Sequence, residues 1–388
     1  MTNKDFADYS SQLITIRHDI HQHPELGFEE HRTSDIVADY LTSWGYEVHR
    51  GLAGTGVVGT LKVGGGNKRL GLRADMDALP ILENNGKPWV STVPKKMHAC
   101  GHDGHTTMLL GAARYLAQTR NFDGTLHLIF QPAEEMLRGG AVMVEQGLFD
   151  LFPCDAIFAM HNMPGMAEGE FFFRPGSFMA SMDEYAITVQ GCGGHGAVPH
   201  LTIDPVVVAS HITVALQSIV SRNIDPLEAA IITVGSIQAG EAANVIPDRA
   251  EMKLSVRALK GEVRAKLRQR ILALVKAQAE SFGASAEVNH VNGAPVLVND
   301  EAMTHFAYTV AVEQFGAERA HNDTKPLMGS EDFAFMLDAH PQGSYLIIGN
   351  GNEKGGCMVH NPGYDFNDRC LVPGCQYWCA LVEAFLKK

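Results

Sequence analysis

The chain has 388 residues, of which 45% are hydrophobic and 19% charged, an ordinary composition for a globular protein of about two domains. Its formal net charge of -13 argues against nucleic acid or an anionic membrane surface as a partner. No segment approaches the roughly 18 consecutive apolar residues that a membrane-spanning helix needs. Seven cysteines, an odd number, follow an N-terminus without a recognisable secretion signal, so we expect reduced thiols and a cytoplasmic protein.

The first half of the sequence alternates between strand-like and helix-like segments. Apolar spacing predicts a helix over residues 33–44, and VVGTLKV and LGLRADMD then read as strands. HTTMLLGAARYLAQ has helical spacing, and the strands TLHLIFQ and AIFAMHN follow it. This alternation predicts an α/β domain with a mainly parallel sheet covered by helices.

The order of elements changes at about residue 184. Strand, helix, two strands, helix and strand follow one another up to about residue 295, which is the βαββαβ order of a ferredoxin-like unit. The sequence then returns to a helix, the strand SYLIIGNGN and a closing amphipathic helix. We therefore predict a catalytic domain in two pieces, 1–183 and 296–388, interrupted by a lid or dimerisation domain at 184–295.

Polar side chains follow several of the predicted strands. They are Arg73, Asp75 and Asp77 after the second strand, Gln131 to Glu135 after TLHLIFQ, His161 and Asn162 after AIFAM, and His360 after a glycine-rich loop. Ligands of open α/β sheets bind at the carboxyl ends of the strands, so these side chains are expected at one rim.

The segment MHACGHDGH, residues 97–105, favours a metal site over a structural zinc knot or a redox pair. A zinc knot needs a second pair of Cys or His ligands close by, and a redox site of the thioredoxin type needs CxxC; neither is present. Cys100 and His102 stand two residues apart, so both face one side of an extended loop. The alternative makes Asp103 a helix cap and leaves His98 and His105 exposed.

QPAEE carries two adjacent carboxylates, Glu134 and Glu135. Neighbouring side chains point in different directions, so one can bind a metal ion while the other transfers protons, as a metal-assisted hydrolase requires. The alternative is an acidic first turn of a helix.

Three further motifs have simpler explanations. Gly54–Gly59 matches GxGxxG, but a strand rather than a helix follows it, which excludes a dinucleotide fingerprint. Cys370, Cys375 and Cys379 fit buried cysteines of one helix. Ser330 is interpreted as a helix cap rather than a nucleophile.

Taken together, the motifs resemble the dinuclear metallohydrolases related to aminoacylase and carboxypeptidase, in the branch of hippurate hydrolase and the auxin-conjugate amidohydrolases. The resemblance runs along nearly the whole chain and rests on IRHDIHQHPELGFEE, GTGVVGTL, LRADMDALP, MHACGHDGHTTMLLGAA, IFQPAEE, MHNMPG, GCGGHGAVPH, GEAANVIPD, MGSEDFAFM and VHNPGYDFND. Two departures are Cys192, where the family usually has a basic residue, and the Val359-His360-Asn361-Pro362 segment, where it usually has LHxP.

The resemblance implies a role for each matching position. The implied metal ligands are Cys100, His102, Glu135, His161 and His360. Glu134 takes the place of the general base, His195 that of a histidine that stabilises the oxyanion in the same or a neighbouring subunit, and Asn244 and Arg257 those of substrate-binding residues. Asp75 matches an aspartate behind the ligands, and Arg73 stands where distant relatives have a histidine ligand.

The implied cofactor is a pair of divalent ions. Five protein ligands complete two coordination shells only if a water molecule, hydroxide or the Cys100 thiolate bridges the ions. Thiolate and imidazole ligands suit zinc, cobalt, nickel or, less well, manganese, and disfavour magnesium and calcium.

The function expected from this resemblance is hydrolysis of the amide bond of small-molecule N-acyl-amino acids, by a homodimer or homotetramer formed through the lid. Two alternatives remain: a dipeptidase or carboxypeptidase with the same site, and a catalytically silent metal-binding dimer.

Overall fold

The computed structural model describes Phe6 and residues 10–340, 342–351 and 357–388. The strands of this part are Glu47–Leu52 (β1), Gly56–Val63 (β2), Arg69–Asp75 (β3), Gly124–Gln131 (β4), Ala156–Pro164 (β5), Phe171–Phe172 (β6), Gly176–Met179 (β7), Ser181–Gln190 (β8), Gly194–His195 (β9), Ala230–Gln238 (β10), Val245–Ile246 (β11), Arg249–Ala258 (β12), Ser285–Ala294 (β13), Leu297–Asn299 (β14), Ala320–His321 (β15) and Gly343–Gly351 (β16). The α-helices are Ser10–Gln22 (α1), His31–Ser43 (α2), His102–Thr119 (α3), Gly139–Glu145 (α4), Leu148–Leu151 (α5), Pro205–Asn223 (α6), Gly261–Glu280 (α7), Glu301–Phe315 (α8), Phe333–Ala339 (α9) and Leu371–Phe385 (α10). None of these helices is long and apolar enough to cross a membrane.

The chain divides into two compact units, each with its own hydrophobic core. The first unit consists of Met1–Gly176, Val298–Lys325 and Asp332–Lys388, and the second of Ser177–Leu297 and Pro326–Glu331. The boundary predicted at 183/184 falls inside strand β8, which begins at Ser181 because this residue pairs with Ala258 on β12.

The first unit is built on an eight-stranded sheet with the order β1-β2-β4-β3-β5-β16-β6-β15. Its four central strands, β4, β3, β5 and β16, are parallel to one another. The sheet as a whole is mixed, because β2 pairs with β1 and β4 in antiparallel fashion and β6 does so with β16. The α/β class with a parallel centre is therefore confirmed.

Helix α3 starts at the carboxyl edge of these parallel strands. Its N-cap is Gly101, whose φ of 92° lies in the left-handed region that favours glycine. A Cβ atom at Gly101 would lie 2.2 Å from the Asn162 amide nitrogen, and one at Gly111 would lie 2.4 Å from Cys375 Sγ. The glycines thus allow the close approach that places His102 at the sheet edge. The GxGxxG motif, Gly54–Gly59, runs into β2, so the prediction that a strand rather than a helix follows it is confirmed.

The second unit is a four-stranded antiparallel sheet in the order β10-β12-β8-β13, packed against α6 and α7. Inward residues of β8, Tyr185, Ile187 and Val189, belong to its core, while the residues between them are partly exposed. This alternation is typical of a sheet with one covered face. The predicted βαββαβ order is confirmed.

The segment Pro326–Glu331 belongs to the second unit, which the sequence prediction missed. Arg257 on β12 donates hydrogen bonds to the Met328 carbonyl (2.7 Å) and the Ser330 hydroxyl (3.1 Å). The interpretation of Ser330 as a helix cap is therefore wrong: α9 begins at Phe333, and its N-cap is Asp332.

Candidate metal centre

The ends of three neighbouring parallel strands and the start of one helix form the candidate metal centre. Strand β3 ends at Asp75, β4 ends at Gln131 just before the QPAEE carboxylates, and β5 carries His161 near its end. Because these strands are parallel neighbours, their carboxyl ends lie at one rim, where α3 presents His102.

The structure brings the five implied ligands together in the first unit. Ligand atoms of Cys100, His102 and His161 all lie within 4.8 Å of one another, and so do those of Cys100, Glu135 and His360. The Sγ atom of Cys100 is 3.3 Å from His161 Nε2, and Glu135 Oε2 is 3.4 Å from His360 Nε2. Cys100 belongs to both groups, which is the placement a bridging thiolate needs.

The hydrogen bonds of the histidines leave the Nε2 atoms for metal binding. His161 Nδ1 lies 2.6 Å from the Asn162 carbonyl, and His102 Nδ1 lies 3.2 Å from Asp77 Oδ1. Both partners only accept, so each Nδ1 carries a proton. Nε2 of neutral His161 presents a lone pair, whereas Nε2 of His102 would bind a metal ion after losing its second proton.

Two buried atoms at the centre have no hydrogen-bond partner among the described residues: His102 Nε2 and Glu135 Oε1. They lie 3.9 Å apart. Burying such atoms without a partner is costly, whereas a divalent cation would satisfy both. The donor set therefore fits a divalent metal ion.

The charges of the site also favour a cation. Burial lowers the pKa of His102, but Asp75 and Asp77 outweigh this effect and raise it to about 10. Burial and the nearby Glu135 and Glu134 raise the pKa of the Cys100 thiol well above its usual range. Such a thiol becomes a thiolate ligand when a metal ion stabilises the negative charge.

The adjacent residues Glu134 and Glu135 are predicted to point in different directions, but both carboxylates reach His102 Nε2, with Glu134 Oε2 and Glu135 Oε1 each 3.9 Å away. Glu135 also faces His360 through its Oε2 atom. The alternative of an acidic helical turn is wrong, because both residues lie in a non-helical turn and α4 begins at Gly139.

Asp75 lies behind the ligands and faces three cationic or hydrogen-donating groups. Its Oδ2 is 2.6 Å from Arg73 Nη1, its Oδ1 is 2.6 Å from His105 Nδ1, and Oδ2 is 3.8 Å from His102 Nε2. Arg73 is fully buried and also donates to Gln131 and Asp332, so it is an internal cation in this protein.

The other polar residues of MHACGHDGH do not fit the alternative interpretation, in which Asp103 is a helix cap and the histidines are exposed. His98 and His105 are buried rather than exposed. Asp103 does not cap α3, since the N-cap is Gly101; its carboxylate accepts from His21 at 2.8 Å and faces Arg17 at 3.4 Å.

Sequence reasoning missed a hydrogen-bonded group around Asn162. His105 Nε2 accepts the backbone N–H of Asn162, and the Asn162 side chain donates to the Cys100 carbonyl and accepts from the Tyr364 hydroxyl. This group connects the loop of Cys100 to the strand of His161. In the sequence, the only indication of this hydrogen-bonded group is that Asn162 follows the implied ligand His161 at the end of a predicted strand.

The remaining predicted site residues lie in the second unit. His195 on β9 is exposed, and its backbone pairs with that of Val245 on β11. Asn244 immediately precedes Val245 in the sequence. The N–H of Ala197 donates to His195 Nδ1, so the neutral ring carries its proton on Nε2. Arg257 is held by the Met328 carbonyl and Ser330.

Comparison with known proteins identifies the family. Peptidase family M20/M25/M40 matches residues 71–384. Hippurate hydrolase of Campylobacter jejuni is 45% identical over 99% of this chain and 99% of its own length, and an N-acetyl-L-cysteine deacetylase of Bacillus subtilis is 38% identical over 93% and 85%. The structure of the Bacillus subtilis YXEP protein, described as a dinuclear metal binding peptidase from the M20 family, has a TM-score of 0.84 and 31% identity, and the match covers 98% of this chain and 99% of that one. The chain belongs to peptidase family M20/M25/M40 and is a hydrolase.

Proposed function

We propose that the protein hydrolyses the amide bond of N-acyl-amino acids and releases a carboxylic acid and a free amino acid. The observation that carries this proposal is the group of Cys100, His102, Glu135, His161 and His360, buried except for the exposed His360 and the partly buried Glu135, with a second carboxylate, Glu134, beside it. The identity to hippurate hydrolase along the whole chain supports the choice of an N-acyl-amino acid as substrate.

Two divalent ions, held by these five side chains, fit the proposal. Cys100 and Glu135 supply two negative charges against four positive charges, which leaves the site cationic enough to attract an oxyanion. Bound ions of this kind lower the pKa of water and polarise a carbonyl group. Zinc, manganese, cobalt and nickel remain the candidates.

Glu134 is the general base in this proposal. Its carboxylate accepts the proton of the attacking water and then transfers it to the nitrogen of the leaving amine, so that the C–N bond breaks as the amine becomes neutral. The buried setting keeps the carboxylate near the ligands and away from bulk solvent.

His195 stabilises the developing oxyanion from the same or a neighbouring subunit. Its Nε2–H is the donor that an oxyanion requires, because Nδ1 is already occupied by the N–H of Ala197. Asn244 and Arg257 bind the substrate, and the guanidinium of Arg257 suits the carboxylate of an amino acid.

We further propose a cytoplasmic homodimer or homotetramer that associates through the second unit. Large apolar side chains are exposed there, among them Leu201, Val214 and Leu227. All seven cysteines are free thiols, which fits a reducing compartment.

A dipeptidase or carboxypeptidase activity is the second candidate, favoured by the description of the YXEP protein as a peptidase. A panel of benzoyl-, acetyl- and indoleacetyl-amino acids beside dipeptides, with and without chelator, separates the two. Metal content is measured on the same preparation. Cleavage of no compound by metal-loaded protein would favour a silent metal-binding dimer instead.

A further inference from the structure

Arg17 lies on helix α1, outside the metal centre, and its side chain is completely buried. Nη1 donates to Asp365 Oδ1 at 2.7 Å, and Nε donates to Asp368 Oδ1 at 2.8 Å. Nη1 also donates to Asp103 Oδ2 at 3.4 Å. Burial lowers the pKa of Arg17, but the three carboxylates outweigh burial and raise it, so the guanidinium stays charged. One buried cation therefore joins carboxylates from distant parts of the chain.

Two of these carboxylates belong to the segment that begins with the implied ligand His360. Asp365 and Asp368 follow His360 closely in the sequence, and residues 360–367 form no helix or strand. His360 has a φ of 67°, a left-handed conformation that is uncommon for a residue with a Cβ atom. The segment therefore depends on contacts with other parts of the chain for its conformation.

The segment is fixed at both ends. At its start, the N–H of His360 donates to the Ala99 carbonyl at 2.7 Å. Towards its end, Arg17 binds Asp365, which also accepts the indole N–H of Trp89 at 3.1 Å. The guanidinium carbon of Arg17 lies 5.2 Å from the centroid of the Trp89 ring, a cation–π arrangement. Side chains rather than a backbone ladder thus hold this end of the segment.

The third carboxylate, Asp103, lies in the first turn of α3 and directly follows the implied ligand His102. Asp103 has a second cationic partner, His21, whose Nδ1 atom is 2.8 Å from Oδ2. Without Arg17, Asp103 would still be paired, and the helix would still support His102. The segment of His360 would lose the buried cation that it faces.

The other groups near Asp365 and Asp368 are weaker partners. His18 Nε2 lies 2.8 Å from Asp368 Oδ2, but burial and the neighbouring Arg17 lower the pKa of His18, so the ring is uncharged at about pH 8. Lys87 Nζ is half-exposed and lies 3.9 Å from Asp365 Oδ2, where solvent weakens the attraction. Neither group replaces a buried guanidinium.

The two ligand groups of the centre differ in the support that they receive. We name them the His161 site, made of Cys100, His102 and His161, and the His360 site, made of Cys100, Glu135 and His360. Two ligands of the His161 site lie on the regular elements α3 and β5. The His360 site instead takes one ligand from the irregular segment, so its geometry depends on what holds that segment.

We propose that Arg17 is a positioning residue for the metal ion of the His360 site. It acts by holding the segment after His360 through Asp365 and Asp368, and it does not touch the ion. The inference rests on the proposed metal ligands and is independent of the substrate.

The decisive variant is Arg17→Lys in the full-length chain, titrated with Co²⁺ at about pH 8, where His18 is uncharged. Lysine keeps the charge, but one ammonium group cannot reproduce the forked contacts of a guanidinium. We expect the affinity of the His360 site to fall by ~10-fold or more and that of the His161 site to stay unchanged. The visible absorption of Co²⁺ follows both binding steps, and His360→Ala identifies the step that belongs to the His360 site.

A double variant separates positioning from a general loss of stability. If Arg17 acts through the segment of His360, Arg17→Lys should not weaken Co²⁺ binding further in a His360→Ala background. Equal weakening of both sites by Arg17→Lys would overturn the proposal. Further weakening in the double variant, or unchanged affinity at both sites in the single variant, would overturn it as well.

The matched control is Arg264→Lys in the second unit. Arg264 donates to both oxygens of the buried Asp183, at 2.7 and 2.8 Å, so this variant also replaces the guanidinium of a forked ion pair. It should bind Co²⁺ at both sites as the wild-type protein does.

If Arg17→Lys does not fold, Asp365→Asn decides the question, because it removes one of the carboxylates and leaves Arg17 with Asp103 and Asp368. It should weaken the His360 site alone, and unchanged binding would overturn the proposal. A wild-type protein that binds fewer than two ions would refute the proposed ligands and this inference with them. If two ions bind but no N-acyl-amino acid is cleaved, the proposed function fails, while the titrations still decide the role of Arg17.

Discussion

The Nδ1 atom of His105 lies 2.6 Å from Oδ1 of Asp75, and this buried pair joins the end of strand β3 to the first turn of helix α3. On its other side, His105 accepts the N–H of Asn162, so neither nitrogen can bind a metal ion. His105 is thus a structural connection between the metal ligands and not one of them.

His105→Ala should therefore loosen the site. It leaves the Asn162 N–H and one oxygen of Asp75 buried without a partner, which we expect to cost about 2–3 kcal/mol of unfolding free energy. Urea denaturation of the variant, with the exposed His305→Ala as control, measures this cost. A stability within error of the control would contradict the connection described here.

Glu134→Gln should abolish turnover and leave the metal content nearly unchanged. The amide cannot accept the proton of water, and general-base catalysis contributes about 10²- to 10⁴-fold to such rates. Steady-state kinetics and elemental analysis of the same sample test both parts. Residual activity within tenfold of wild type would remove Glu134 from the role of base.

His195→Ala should lower kcat by about 10²- to 10³-fold, the usual effect of removing one oxyanion donor. Thermal stability and metal content should not change, because the ring is exposed and its Nδ1 accepts only a surface hydrogen bond, from the N–H of Ala197, within the described part of the chain. His200→Ala, at an exposed position in the same unit, is the matched control. Equal kcat for both variants would speak against an oxyanion role.

His21 predicts a pH dependence of stability. Burial lowers its pKa, but the contacts of Nδ1 with Asp103 (2.8 Å) and of Nε2 with Glu83 (2.9 Å) outweigh burial and raise the pKa to about 9. Because this pKa lies above the unfolded value of about 6.5, the stabilisation is fully present below pH 6.5 and is lost as the pH rises through 9.

The test compares wild type with His21→Gln in urea denaturation between pH 6 and pH 9.5. The difference in unfolding free energy between the two proteins should shrink by roughly 3 kcal/mol over this range. A difference that is independent of pH would mean that His21 is not charged in the folded protein.

Local sequence patterns predicted the elements well. Alternation of apolar and polar residues identified the βαββαβ unit, and the polar strand ends identified Glu135 and His161 as candidates, because parallel strands end at one rim. The MHACGHDGH segment identified Cys100 and His102. The same patterns predicted α10 and two of its buried cysteines, Cys375 and Cys379, whereas the buried Cys370 lies just before the helix as its N-cap. These features depend on period and spacing, which are properties of the sequence itself.

The sequence patterns did not predict contacts between residues that are far apart along the chain. Asp103 was a plausible helix cap by position, but its partners His21 and Arg17 lie more than 80 residues away. Ser330 likewise meets Arg257 across 73 residues. Such partners are chosen by packing, which no local spacing encodes.

The sequence by itself determined the kinds of ligand available and the strands and helix that carry them. Only the tertiary structure decided which donors the buried carboxylates around these ligands face: Asp77 accepts the N–H of Glu134, Glu30 accepts that of Ala133, and Asp75 faces His105. A buried carboxylate must find donors to offset its lost hydration, and the fold alone determines where those donors are.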